Sequence, residues 1–276
     1  MSDPVLLVEK DAGVAVVALN RPDKLNSLSR QLRRELVATF RELAVDEDVD
    51  VAILTGNGRA FCAGLDLREL GSEPQGAAPE SASGVDPDSA GRSERESAVA
   101  GADVVEAVES FPGPVIGAIN GFAITGGFEL ALACDVLLAS EDARFADTHA
   151  RVGILPGWGL SQKLSRIVGL SRAKELSLSG NFLSAADAAA WGLVSRVVAT
   201  DALMPAARAL ARDMQGAPRD VVRAYKRLID DGYRMPMKEA LALETQRARE
   251  HMRSVSGSDI RARRAAVQSR GRGQAL

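Results

Sequence analysis

Gly126, Gly127 and Glu129 are the residues best suited to chemistry, and they sit together in the stretch PGPVIGAINGFAITGGFELALACD, residues 112–135. Val115, Ile116, Ala118 and Ile119 make a short apolar run that suits a buried strand. Asn120-Gly121 and Thr125-Gly126-Gly127 mark turns, and from Gly126 the pattern becomes helical through Phe128, Leu130, Ala131, Leu132 and Ala133. The first N–H groups of a helix lack intrahelical partners, and the dipole there favours negative charge. A glycine lets a ligand approach that backbone closely, because no Cβ intervenes. The Gly126 amide is therefore a donor for an oxygen that gains charge during a reaction. Glu129, three residues on, leaves the same helical face as a proton acceptor. An anion-stabilising donor beside a base suits proton transfer next to a carbonyl. Taken alone, the same residues also read as a glycine-rich turn with a helix-favouring glutamate, so the rest of the chain has to decide.

The elements that position these groups alternate. Residues 5–8 and 14–19 read as strands joined by a hairpin at Asp11-Ala12-Gly13. Ser29 caps a helix running to about Leu43, with Leu32, Leu36, Phe40 and Leu43 on one face. Residues 51–55 are another short apolar strand, and Gly56-Asn57-Gly58 turns the chain toward Phe61, Cys62, Ala63, Gly64 and Leu65. Strands are expected again at 136–139, 143–145 and 194–198, and helices at 96–110, 160–168, 171–178 and 184–191. From Asp201 the chain reads as helix, broken near Gly216-Ala217-Pro218 and again near Gly232. Strands alternating with helices argue for α/β units and parallel pairing.

Residues 71–98 hold six Ser, four Gly, three Pro and six acidic residues, with Val85 as the one large apolar side chain. Such a segment buries too little to repay its ordering and is expected to be a mobile surface loop. The domain expectation is a core over 1–200, including that loop, and a helical region over 201–276.

Length and composition bound the rest. At 276 residues the chain fits one large domain or one domain with an appendage. A hydrophobic fraction of 46% and a net charge of -3 suit a globular protein and give no basic excess for nucleic acid. The first residues, MSDPVLLVEKDAG, do not read as a secretory signal, and no uncharged apolar run reaches the ~20 residues of a membrane helix. Cys62 and Cys134 lie in apolar contexts, which points to free thiols and a cytoplasmic location. The two histidines, His149 and His251, are far apart, and no Cys/His cluster has metal spacing.

Five segments together resemble the crotonase (enoyl-CoA hydratase/isomerase) superfamily: LNRPDKLNSLS (19–29), GRAFCAGLDL (58–67), PVIGAINGFAITGGFELALACDVLLAS (114–140), ARFADTHARVGILPGWGLSQKLSRIVG (143–169) and LSGNFLSAADAAAWGLVSRVV (178–198). The resemblance implies an α/β spiral of ββα units and C-terminal helices that build trimers, often stacked as hexamers. It implies an acyl-CoA thioester as substrate, with no metal or redox cofactor, in fatty acid metabolism. The thioester oxygen would lie between the backbone N–H groups of Leu65 and Gly126. CoA contacts would fall on Lys24, Leu25, Ser27, Ala63, Leu65, Asp66 and Leu67, beside Gly126.

Family hydratases carry two glutamates, one activating water and one handling the proton at the α carbon. Glu129 matches the first. Where the second precedes the proline-glycine loop in a segment like QPEILLGTIPG, this chain has DTHARVGILPG, with His149 at the glutamate position and Asp147 the nearest acid. A histidine, with an unperturbed pKa near ~6.5, exchanges protons at neutral pH, and it also reads as a pocket-lining residue without a chemical role. The expected activity is water addition to trans-2-enoyl-CoA by Leu65, Gly126, Glu129 and His149. Double-bond isomerisation, or another reaction of the same enolate, is the alternative. A non-catalytic acyl-CoA-binding or RNA-binding relative is a third reading. The five arginines and no acid from Arg261 to Arg272 support it, and the net negative charge opposes it.

Overall fold

The central strands are apolar along their whole length because both of their faces are covered. The computed structural model describes residues 3–70 and 104–274, so the 71–98 segment and the start of the helix expected from residue 96 lie outside the described residues. β1 (Leu6–Asp11) and β2 (Val14–Leu19) form an antiparallel hairpin. β3 (Val51–Gly56), β5 (Val115–Ile119), β7 (Val136–Ser140) and β10 (Arg196–Val198) extend it in parallel, giving a six-stranded sheet ordered β1-β2-β3-β5-β7-β10. Alternate side chains go to opposite faces. Ala15, Val17, Leu19, Ala52 and Leu54 meet Leu32, Leu36, Phe40 and Leu43 of α1 (Arg30–Val45). Val14, Val16, Val51 and Ile53 meet Leu203, Ala207 and Ala211 of α9 (Leu203–Gln215). Ser29 caps α1 as its sequence suggests, accepting from the Leu32 amide at 3.2 Å.

A second sheet, absent from the sequence reading, lies beyond the first. β4 (Ala60–Cys62), β6 (Phe122–Ile124) and β8 (Arg144–Ala146) pair in parallel, and β9 (Leu183–Ser184) closes the edge antiparallel to β8. Each of the first three follows a strand of the large sheet after a short turn: β3 then β4, β5 then β6, β7 then β8. Asn120 stitches two of these turns, accepting from the Gly56 amide at 3.1 Å and donating to the Gly58 carbonyl at 2.8 Å. After each short strand the chain leaves the small sheet at its C-terminal edge into a brief helix. These are α2 (Leu67–Leu70), α4 (Gly126–Ala131) and α5 (His149–Val152), with the helical segment α3 at residues 104–109 leading into β5. The architecture is therefore the α/β spiral of ββα units.

α6 (Leu160–Val168), α7 (Leu170–Ser179) and α8 (Ala185–Ala190) follow. Two compact units divide between Val222 and Arg223, within α10 (Arg219–Tyr233). α9 belongs to the first unit, where it covers the large sheet. The second holds most of α10 with α11 (Met237–Met252) and α12 (Gly257–Gln274), and Arg247 pairs there with Asp231 at 2.7 Å. The helix break expected near Gly232 falls a few residues later, before Pro236. An interior glycine costs a helix only about 1 kcal/mol, whereas proline removes a donor and clashes. No described helix is long and apolar enough to cross a membrane. Cys62 and Cys134 are not joined in a disulfide.

Candidate active site

The C-terminal edge of the small sheet gathers the candidate groups. β4 leads to Ala63, Gly64 and Leu65; β6 to Thr125, Gly126 and Glu129; β8 to Asp147 and His149. Because β4, β6 and β8 are neighbours in one parallel sheet, residues separated by up to 86 positions in sequence arrive side by side.

Gly64 and Gly126 face each other across the first two exits. A Cβ built on Gly64 would lie 3.2 Å from the Gly126 nitrogen and 2.9 Å from the Ile124 carbonyl, and the backbone there has φ +90°. Both contact and dihedral call for glycine. Leu65 forms a parallel bridge with Leu28, in which Leu28 N–H donates to Gly64 at 2.8 Å and Asp66 N–H to Leu28 at 3.4 Å. That bridge uses the Gly64 carbonyl and the Asp66 N–H and leaves the N–H of Leu65 out. Neither the Leu65 nor the Gly126 amide donates to an acceptor among the described residues. α4 is only six residues long, shorter than the apolar run to Ala133 suggests. What it offers an anion is its orphan N–H groups rather than a long summed dipole.

Thr125 aims this turn. Its φ of 53° and ψ of -112° are unusual for a β-branched residue and cost of order 1–3 kcal/mol. Neighbouring β8 holds it in place. Thr125 N–H donates to the Ala146 carbonyl at 2.8 Å, its hydroxyl meets that of Thr148 at 2.5 Å, and the Thr148 amide donates to the same oxygen at 3.2 Å.

Glu129 is buried, at 2% exposure, on the first turn of α4. Oε1 accepts from the backbone amides of Trp158 at 2.8 Å and Leu160 at 3.4 Å, and Oε2 lies 3.7 Å from Nε2 of His149. Burial pushes its pKa above the ordinary 4.5, and the nearby Asp147 charge adds to the rise. The Trp158 amide, His149 and the Leu160 amide act the other way without cancelling it. The Trp158 indole lies over Gly126, where a Cβ would meet the ring at 2.9 Å.

His149 is also buried, and its Nδ1 lies 2.7 Å from Oδ1 of Asp147, which also accepts the His149 amide at 3.1 Å. Burial alone would raise the Asp147 pKa. The His149 ring, the Ser177 hydroxyl and the His149 amide outweigh burial and hold it below the usual value. Glu129, His149 and Asp147 thus lie in one buried line, with a hydrogen bond between Asp147 and His149 and 3.7 Å between Nε2 of His149 and Oε2 of Glu129. Among the described residues no group is arranged to hold a metal ion.

The residues matched to CoA contacts lie on two adjoining loops. Lys24 ends a 3-10 turn (Pro22–Lys24) and is exposed, and Leu25 and Asn26 follow with φ of 50° and 55°. The Ala63 amide donates to the Leu25 carbonyl at 3.0 Å, locking the loops together. Ser27 and Asp66 are taken up structurally. Asp66 Oδ2 receives the Arg21 guanidinium at 3.1 Å and the Ser27 hydroxyl at 3.3 Å. Leu67 opens α2. Sequence reasoning missed Arg21 and the buried Asn26, whose side chain accepts from the Arg21 amide at 2.8 Å and donates to the Asn57 and Ala60 carbonyls at 2.9 and 2.7 Å. An asparagine that tolerates left-handed backbone, next to a turn, was the available signal. Cys62 is buried beneath Gly127, and burial raises its thiol pKa to about 12, which leaves it a packing residue.

A spiral of ββα units with a buried carboxylate beside two amides that donate to no acceptor among the described residues defines an α/β protein of the crotonase fold. Known proteins give the same result. The Enoyl-CoA hydratase/isomerase family profile matches residues 9–258. "Probable enoyl-CoA hydratase 1, peroxisomal" of Arabidopsis thaliana is 40% identical over 272 residues, covering 98% of this chain and 96% of that protein. An enoyl-CoA hydratase from Bacillus anthracis superposes with a TM-score of 0.83 at 32% identity, over 96% of this chain and 97% of the other. One from Mycobacterium smegmatis is 42% identical with a TM-score of 0.69, over 92% and 100%. The chain belongs to the enoyl-CoA hydratase/isomerase family.

Proposed function

We propose that this protein is an enoyl-CoA hydratase, adding water across the 2,3 double bond of a trans-2-enoyl-CoA. The observation that carries the reading is the pair of amides, Leu65 and Gly126, that donate to no acceptor among the described residues and lie on adjacent strand exits beside the buried Glu129. The thioester oxygen sits between the two N–H groups. Glu129 takes a proton from water as the hydroxyl adds to the β carbon, and electron density moves to the thioester oxygen as an enolate. The amides stabilise that oxygen most when its charge is greatest, so they lower the barrier rather than only tightening binding. His149, whose Nε2 lies 3.7 Å from Oε2 of Glu129, gives a proton to the α carbon. The loops carrying Lys24, Leu25, Ser27, Ala63, Asp66 and Leu67 hold the CoA moiety.

The family supports a homotrimer or hexamer. Tyr225, Ile229, Tyr233, Met237 and Leu241 leave apolar surface exposed on α10 and α11 for such an assembly. Two cysteines without a disulfide fit a reducing, cytoplasmic location.

The experiment is water addition to short and long trans-2-enoyl-CoA by purified protein, read as a mass gain of one water. Intact CoA-ester binding without turnover at any chain length overturns the reading. The missing second carboxylate, where this chain has His149, is the basis of a second reading, another reaction of the same enolate such as double-bond isomerisation, which a product of unchanged mass distinguishes.

A further inference from the structure

Asp147 has no part in the chemistry above, yet it is the third member of the buried line. Its exposure is 3%, that of Glu129 2% and that of His149 6%. A carboxylate this deep costs several kcal/mol unless it is satisfied, and Asp147 is satisfied largely by His149 itself, through the ring at 2.7 Å and the amide at 3.1 Å. An ionised carboxylate only accepts hydrogen bonds, so the ring nitrogen facing it carries a proton. That fixes the imidazole with Nδ1–H toward Asp147. The other nitrogen, Nε2, is thereby presented to Oε2 of Glu129 at 3.7 Å.

We infer that Asp147 is a positioning residue that commits His149 to the Nδ1–H form and dedicates Nε2 to proton exchange with substrate and with Glu129. The inference rests on the hydratase reading for its chemistry. The proton count closes on these groups alone. Water gives one proton to the Glu129 carboxylate and its hydroxyl to the β carbon. The imidazolium gives its Nε2 proton to the α carbon and becomes neutral. The Glu129 carboxylic acid then returns its proton to Nε2, and both groups regain their starting states with one water added to the substrate. Oε2 and Nε2 stand 3.7 Å apart, beyond direct hydrogen-bond distance, so the return step runs through one bridging water or a small approach of the two side chains.

The test uses the two-histidine composition of the chain. In a His251→Gln background, which removes an exposed histidine of α11, the side-chain 15N shifts report His149 alone. The expected spectrum has a proton on Nδ1, and a neutral ring protonated on Nε2 instead overturns the inference. This readout stands even if the protein hydrates no enoyl-CoA, so failure of the hydratase reading is separable from failure of this one. Where hydration is observed, Asp147→Asn is expected to lower kcat about 10²-fold or more with KM held within about threefold. The same change in a His149→Gln background is expected to add almost nothing, because Asp147 acts through the ring. Equal losses in both backgrounds overturn the assignment. If Asp147→Asn does not fold, the spectrum of the His251→Gln protein alone decides.

Discussion

Replacing Gly64 by alanine attacks the candidate oxygen site without touching a reacting side chain. A Cβ at this position would lie 2.9 Å from the Ile124 carbonyl and 3.2 Å from the Gly126 nitrogen, and both neighbours are backbone. Neither can swing away as a side chain does, so the β6 exit has to shift relative to the β4 exit. Misplacing one amide donor of this kind costs about 3–4 kcal/mol of barrier, or roughly 10²–10³ in kcat. The φ of +90° adds a backbone penalty of order 1–3 kcal/mol to stability. Initial rates of hydration and urea unfolding read the two effects separately. Gly192→Ala supplies the control, because its φ is +79° but nothing lies within 4 Å of its Cβ position. It carries the strain without the wedge. The expected result is that both proteins are destabilised, Gly64→Ala the more because of its wedge, and that only Gly64→Ala loses catalysis, in kcat more than in KM. A Gly64→Ala enzyme within about threefold of wild-type kcat would refute the geometry, since the donors would then tolerate displacement.

Other outcomes follow from the same geometry. Glu129→Gln is expected to lose about 10²–10⁴ in kcat. Burial raises the Glu129 pKa, so its contribution to stability is fully present below the ordinary 4.5 and is lost as pH rises through the folded value. The stability of Glu129→Gln relative to wild type, followed by denaturant titration, should therefore increase with pH above 4.5, and the opposite slope refutes the burial argument. Asp66 behaves inversely. Burial works to raise its pKa, but the Arg21 bond and charge, the Arg68 amide and the Ser27 hydroxyl hold it below 3.8. Asp66→Asn is expected to cost about 1.5–3 kcal/mol at neutral pH, in unfolding experiments whose difference from wild type shrinks as acid protonates the carboxylate. Phe40→Ala removes a ring with no exposure that packs edge-on to Phe111 at 6.3 Å, and it should cost about 3–5 kcal/mol in the same assay.

The large sheet and its helices are legible from pattern because their signals are long. The α1 face of Leu32, Leu36, Phe40 and Leu43 repeats at helical spacing, and each of these residues is buried. The small sheet, apart from the strand expected at 143–145 and found as β8, is illegible for the converse reason. Its strands span two or three residues, too few for any period to show. Yet it brings the β4, β6 and β8 exits together, so the neighbourhood of Leu65, Gly126 and His149 rests on pairing that no local stretch announces. Gly126 and Glu129 stand out because glycine and a helical glutamate mark themselves. Asp147 reads as a stray acid two positions from His149, and only the folded turn places its carboxylate against the ring. Arg21 and Asn26 resemble ordinary turn residues, and their bonds reach positions 27 to 66.

The three short strands also divide labour in a way that bears on how such a scaffold changes its reaction. Two exits contribute main-chain amides, which no replacement short of proline deletes, and one of these exits also carries Glu129. The third contributes side chains, Asp147 and His149, which a single codon can exchange. On the hydratase reading, a chain built like this would keep its grip on the carbonyl while the partner of Glu129 is rewritten, so new chemistry would arise by editing one rim of one small sheet.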